Sequence, residues 1–178
     1  MQAPSMPHEG WRRVIGAMSG TSCDGVTVAL IETRGTGTER AVRLVAHLTH
    51  PYPPDLQDRL FALFPPHTST PAGLAAVARE VALAMAGAVA DLLARAGLRP
   101  DQVRLQAVQG PIVAYEPDRA ICLEALNPAL LAEKTGIPVL WDLRSADLAA
   151  GGRGAPLSAL VDYVLFRHPA RGRIIQNL

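Results

Sequence analysis

The stretch "IGAMSGTSCDGVTVALIET", Ile15 to Thr33, decides how this chain begins to fold. Val14 to Met18 and Val26 to Ile31 are apolar and rich in β-branched residues, a pattern that predicts two buried strands. Between them stands "SGTSCDG", with two glycines, three hydroxyls and one carboxylate. A tight hairpin needs only two residues of turn chemistry, so this connection carries more than a turn requires. Glycine lets the backbone bend sharply and approach a ligand closely, and successive N–H groups in such a bend form a concave anion site. Ser19, Thr21 and Ser22 add hydroxyl donors suited to phosphate oxygens. Asp24 would repel a phosphate by itself; it makes sense if it holds Mg²⁺, usually through water, and the metal bridges to the phosphates. The same residues also suit a plain hairpin turn that binds nothing, and composition does not choose between the two.

Working outward, Ala41 to His50 reads as a third strand, so a three-stranded meander comes first. "PPDLQDRLFALF" predicts a short helix with Pro53 and Pro54 at its start and Leu56, Leu60, Leu63 and Phe64 on one face. After a loop, "PPHTSTPAG", apolar residues at Leu74, Val77, Val81, Met85, Val89, Leu92 and Leu93 keep a helical period up to Gly97, a natural C-cap. "VRLQAV" predicts a strand, as does "ICLEAL" after a turn near Pro117. Asn127 and Pro128 start a helix that runs to Thr135. "IPVLWDL" reads as a buried parallel strand, Ala155 to Phe166 as a helix, and "RIIQNL" as the start of a last strand. The order implies a mixed α/β layered domain. It is not a Rossmann start, because no GxGxxG leads from the first strand into a helix.

The 178 residues carry 17 Lys+Arg against 16 Asp+Glu, without the basic excess of a nucleic-acid binder. Aromatics at 4% also leave few platforms for base stacking. Cys23 and Cys122 show neither CxxC nor metal-ligand spacing, and the five histidines do not cluster. "MQAPSMPHEGWRR" has no apolar core of a signal peptide. Arg79, Glu80 and Asp91 interrupt the apolar run from Leu74 to Leu93, which argues against a membrane span. These features fit a soluble cytoplasmic protein with no membrane partner.

A second cluster lies near the far end. Asp142, Arg144 and Asp147 follow a predicted strand, at the end where α/β sheets place ligands. Arg144 can fork two hydrogen bonds to a carboxylate and Asp147 can accept from hydroxyls. Gly151, Gly152 and Gly154 then predict a flexible loop before a helix N-terminus. A surface Arg–Asp pair followed by a connector is the plain alternative.

"MSGTSCDG", Met18 to Gly25, resembles the first phosphate loop of the anhydro-N-acetylmuramic acid kinases, Met-Ser-Gly-Thr-Ser, an apolar residue, Asp-Gly. "NPALLAEKTGIPVLWDLRSADLAAGGRGAPL", Asn127 to Leu157, is similar to a second stretch of that family, and "IIQNL" resembles the start of its Asn-Leu-Gly-Gly strand. The resemblance implies a ribonuclease H-like, actin-like ATPase lobe: a three-stranded meander followed by alternating helices and strands in a mixed sheet. Residues 1–178 would form a single N-terminal lobe of a two-lobed sugar kinase, with the second lobe absent. ATP would contact Gly20, Thr21, Ser22, Cys23, Asp24, Gly25, Val26 and Thr27, with Mg²⁺ on Asp24, while Arg144 and Asp147 would face the sugar. The implied reaction opens an anhydro-sugar and phosphorylates its 6-oxygen.

The resemblance also has gaps. Cys23 takes the place of a Leu, and Thr27 the place of an Asp. The family's Ser-His-Gly-Gln-Thr reads here "AVQGPIVAYEP": Gln109 stands at the His, Pro111 at the Gln and Ile112 at the Thr, and Pro111 removes a backbone donor from that strand. Glu124, Ala125 and Leu126 replace Gln-Ile-Gly. The family's catalytic base, in a Phe-Asp-x-Gly-Pro-Gly-Asn segment, is expected beyond Leu178. Little kinase activity is therefore expected from these residues alone. The alternative is a decayed or truncated paralogue, acting as a non-catalytic binding module or self-associating as a homodimer.

Overall fold

The computed structural model describes residues 10–66 and 69–176. Among these residues seven strands form in two sheets. β1 (Arg12–Met18), β2 (Gly25–Arg34) and β3 (Ala41–Pro51) make the expected antiparallel meander. β4 (Leu105–Gln109) pairs parallel to β1, and β7 (Val139–Leu140) parallel to β4, giving the order β3-β2-β1-β4-β7. β5 (Ile112–Glu116) and β6 (Ile121–Glu124) form a separate antiparallel ribbon. Its second strand agrees with the sequence pattern; its first is additional, although "IVAYE" runs straight into the Pro117–Asp118 turn.

Strand alternation decides which sheet face is buried. Ile15 and Ala17, then Val26, Val28 and Leu30, then Leu48 and Val108 lie buried on one face, whereas Gly16, Met18 and Thr27 on the other are exposed. The buried face packs against α2 (Pro71–Ala96) through Val77, Val81, Met85, Val89 and Leu92. α2 is long and apolar enough to cross a membrane by length and composition, but here it supplies the core. Its ends are set by local chemistry: Thr70 Oγ1 accepts from Gly73 N, Pro71 takes the first turn, and Gly97 closes it at φ 64°. The short α1 (Pro54–Phe61) buries Leu56 and Leu60, and Leu63 and Phe64 pack on the core just past its end. α3 (Pro128–Thr135) starts at Asn127, whose side chain accepts from Leu130 N, and stops at Gly136, φ 67°. The fully buried Gln106 joins β4 to the end of α3, donating from Nε2 to Thr135 Oγ1 (2.6 Å) and to the Ile137 carbonyl (3.1 Å).

The last fifth of the chain departs from expectation. The strand expected over "IPVLWDL" is only two residues long, and Leu140 is 44% exposed, because β7 has no neighbour on its outer side among the described residues. A short helix that the sequence pattern does not announce, α4 (Leu143–Ala149), follows. α5 (Ser158–Phe166) starts three residues later than expected, since Pro156 disfavours helical backbone at the residue before it. Among the described residues Arg173 to Gln176 form no strand, and Ile174 is 98% exposed. Asn177 and Leu178 lie outside the described residues, as do the N-terminal segment to Glu9 with His8, and His67 and Thr68.

Candidate functional site

The connection between β1 and β2 is a shaped loop. Ser19 N–H donates to the Gln109 carbonyl at the end of β4 (3.0 Å), and Cys23 N–H closes a turn onto the Gly20 carbonyl (3.1 Å). Among the described residues, the amides of Gly20, Thr21 and Ser22 have no backbone acceptor, which leaves them available to an anion. Cys23 holds φ 51°, a left-handed conformation that costs a non-glycine residue about 1–2 kcal/mol. Burial of its side chain in the core offsets that cost. The same burial pushes the Cys23 thiol pKa up, with the charge of Asp24 adding to it, so this is a packed thiol and not a reactive one. Val26 is also fully buried. Of these two residues only backbone groups can reach a ligand.

Thr21, Ser22 and Asp24 are exposed, and Ser22 Oγ donates to Asp24 Oδ1 (3.0 Å). Gly25 has a structural reason to be glycine. A Cβ there would overlap the His50 carbonyl and stand 2.9 Å from Pro51 Cα, where β2 and β3 run closest. Thr27 sits on the open sheet face and pairs with the Thr49 hydroxyl at 3.0 Å. No cluster of three or more His, Cys, Asp or Glu side chains that could hold a metal occurs among the described residues.

The second cluster comes from α4. Asp142 caps the helix, its Oδ1 accepting from Ser145 N (3.2 Å), and so places Arg144 and Asp147 one turn apart on one side. Arg144 donates from Nη1 to the Gly154 carbonyl (2.7 Å) and from Nη2 to Gln109 Oε1 (3.2 Å). Asp147 Oδ2 accepts from Gly154 N (2.7 Å), and its backbone carbonyl accepts from Gly152 N (2.9 Å). The glycine segment is thus tied down, contrary to the flexible loop expected, because both cluster residues grip it. A Cβ on Gly152 would run into the Asp147 carboxylate.

An open cleft of about 670 Å³ joins the two clusters. Thr21 and Arg144 line it together, with Phe61 and Phe64 from the end of α1 and Ile112 and Tyr115 from β5 on its walls. Asp24 and Asp147 are not among the residues that line it. Pro111 breaks no ladder, because β4 ends at Gln109 and the Pro111 carbonyl instead accepts from Ala125 N (2.8 Å). Two contributors have no signal of their own in the sequence. Gln109 orients Arg144 through its side chain and anchors Ser19 through its carbonyl. Glu124 is buried behind the cleft, and its Oε2 accepts from Gly110 N (3.0 Å) and Trp141 Nε1 (2.9 Å). Burial raises the Glu124 pKa, Asp142 adds to the rise, and the two N–H donors and Arg144 oppose it.

A sequence profile described as "Anhydro-N-acetylmuramic acid kinase" matches residues 12–178. The chain belongs to the anhydro-N-acetylmuramic acid kinase family. Its fold is an α/β fold of the actin-like ATPase superfamily. Proteins named anhydro-N-acetylmuramic acid kinase are similar to it in sequence. One from Pseudomonas putida is 42% identical over 168 residues, covering 92% of this chain. One from Gloeobacter violaceus is 39% identical over 168 residues, also covering 92%. One from Caldanaerobacter subterraneus subsp. tengcongensis is 35% identical over 175 residues, covering 94%. In all three the match covers 44% of the relative, so the chain spans less than half the length of the curated relatives it matches.

Proposed function

We propose that this chain supplies one lobe of an ATP-dependent kinase of 1,6-anhydro-N-acetylmuramic acid, acting in the cytoplasm in cell-wall recycling. The observation that carries this reading is the cleft that brings Thr21 of the loop and Arg144 of α4 to one place. The unclaimed amides of Gly20, Thr21 and Ser22 would take the nucleotide's phosphates, with backbone help from Cys23, Gly25 and Val26 and with Thr27 at the mouth. Asp24 would orient Mg²⁺ bound to those phosphates. Arg144 retains donors beyond its bonds to Gln109 and Gly154, and these would take the sugar's carboxylate. The second Asp147 oxygen would accept from a sugar hydroxyl. In the family reaction water opens the anhydro bridge and the freed 6-oxygen takes the γ-phosphoryl group, giving N-acetylmuramate 6-phosphate. By the resemblance, the base for that step belongs to a segment outside these residues.

Calorimetric titration with MgATP tests the reading. Saturable binding, lost in Asp24→Ala, supports it; no binding by a folded chain refutes it. One observation favours a non-catalytic, self-associating module instead: α5 leaves Leu160, Val161, Tyr163 and Phe166 exposed. Sedimentation showing a tight dimer, with no heat from MgATP, would favour that alternative.

A further inference from the structure

One residue outside the loop is bonded to its last residue and buried beside its first. Tyr52, just past β3, donates its backbone N–H to the carbonyl of Asp24, the loop's last residue (3.0 Å). Its ring is 4% exposed and lies in the same core cluster as Cys23. Its hydroxyl is buried without an aligned hydrogen-bond partner, and so is the hydroxyl of Ser19, the loop's first residue, which is 1% exposed. The two hydroxyls are neighbours. Burial drives the Tyr52 pKa up to about 12, and the Ser19 hydroxyl is the one group that draws it back. Buried tyrosine hydroxyls ordinarily find a partner, and Ser19 carries the buried hydroxyl that is left over beside this one.

We propose that Tyr52 is the positioning residue of the Ser19–Asp24 loop, pinning the loop's end through its backbone and its start through the Ser19 hydroxyl. Neither group touches the cleft. Tyr52 acts through the loop by holding Cys23 in its left-handed turn, so that the amides of Gly20 to Ser22 keep one arrangement. The consequence for nucleotide affinity rests on the kinase reading above; the consequence for the loop itself does not.

The test measures amide exchange by NMR in the full 178-residue chain, for wild type, Tyr52→Phe, Ser19→Ala and the double variant, with MgATP affinity measured alongside. Tyr52→Phe keeps the ring and the backbone N–H, so it removes only the hydroxyl contact. The expected result is faster exchange at Cys23 in both single variants, no change in α2, and no further change in the double variant. MgATP affinity should fall about fivefold in each single variant, the equivalent of one neutral hydrogen bond, and no further in the double. If wild type binds no MgATP while Cys23 exchange still responds, the kinase reading fails and the positioning role stands. Unchanged Cys23 exchange overturns the role. Should Tyr52→Phe fold poorly, Ser19→Ala decides alone by the same readout.

Discussion

Replacing Glu124 by Gln should stabilise this protein at neutral pH and lose that benefit in acid. Glu124 is 6% exposed, and burial moves its pKa upward from the ordinary 4.5. A carboxyl whose pKa is raised in the folded state favours folding fully only below its unfolded pKa, and that contribution is lost as pH rises through the folded value. Above that value the protein holds a charge it disfavours, and each tenfold weakening of the acid costs about 1.4 kcal/mol. Two donors work the other way: Gly110 N and Trp141 Nε1 both bond to Oε2. Bonds to a charged acceptor are worth about 1.5–3 kcal/mol, against about 0.5–1.5 for a neutral one. Because the pKa moves upward on balance, burial wins. The Gln carbonyl keeps both donors and sheds the charge, so the variant is expected to be the more stable one at pH 7.5. In a chain of this size each 1 kcal/mol of difference shifts Tm by roughly 2–4 °C. Thermal melts of Glu124→Gln and wild type from pH 4 to 8 check this. The gap should open as pH rises and close near pH 4. A Gln variant less stable than wild type at pH 7.5 would show that the two N–H bonds outweigh burial and refute the reasoning.

Gly25→Ala should cost about 1–3 kcal/mol, because β2 must move off the His50 carbonyl and backbone cannot yield cheaply; an unchanged urea midpoint would contradict the close approach. Thr135→Val should cost about 1–3 kcal/mol by leaving the buried Gln106 amide without its 2.6 Å acceptor, whereas Thr135→Ser, which keeps the hydroxyl, should recover most of that loss in the same denaturation assay. Arg144→Ala should free the Gly151–Gly154 segment and speed tryptic cleavage after the exposed Arg153; an unaltered cleavage rate would show that Asp147 alone holds the segment.

The meander and α2 are readable in the sequence because each element carries its own period and its own caps. Alternation from Ile15 to Ala17 and from Val26 to Leu30 marks the buried sheet face, and Thr70, Pro71 and Gly97 mark the ends of α2. The helix from Pro128 to Thr135 is legible to the residue for the same reason. α4 escapes such a reading because seven residues are too few to show a period, although Asp142 three places before Ser145 is a cap signature. The strand expected at the chain's end rests on apolar composition alone, and strands form only where an edge receives them. In the site, residue type points to Thr21 and Arg144, which share the cleft. Gln109, Glu124 and Tyr52 act through contacts between segments distant in the chain, and no local pattern encodes those.

The central claim is that the Ser19–Asp24 loop cradles a nucleotide's phosphates. The most direct measurement follows backbone amide shifts during titration with MgATP. The loop assignment predicts that Gly20, Thr21 and Ser22 move first and furthest, and that Asp24→Ala abolishes the response. Binding that leaves these three amides unmoved, or no binding by the folded chain, would contradict it.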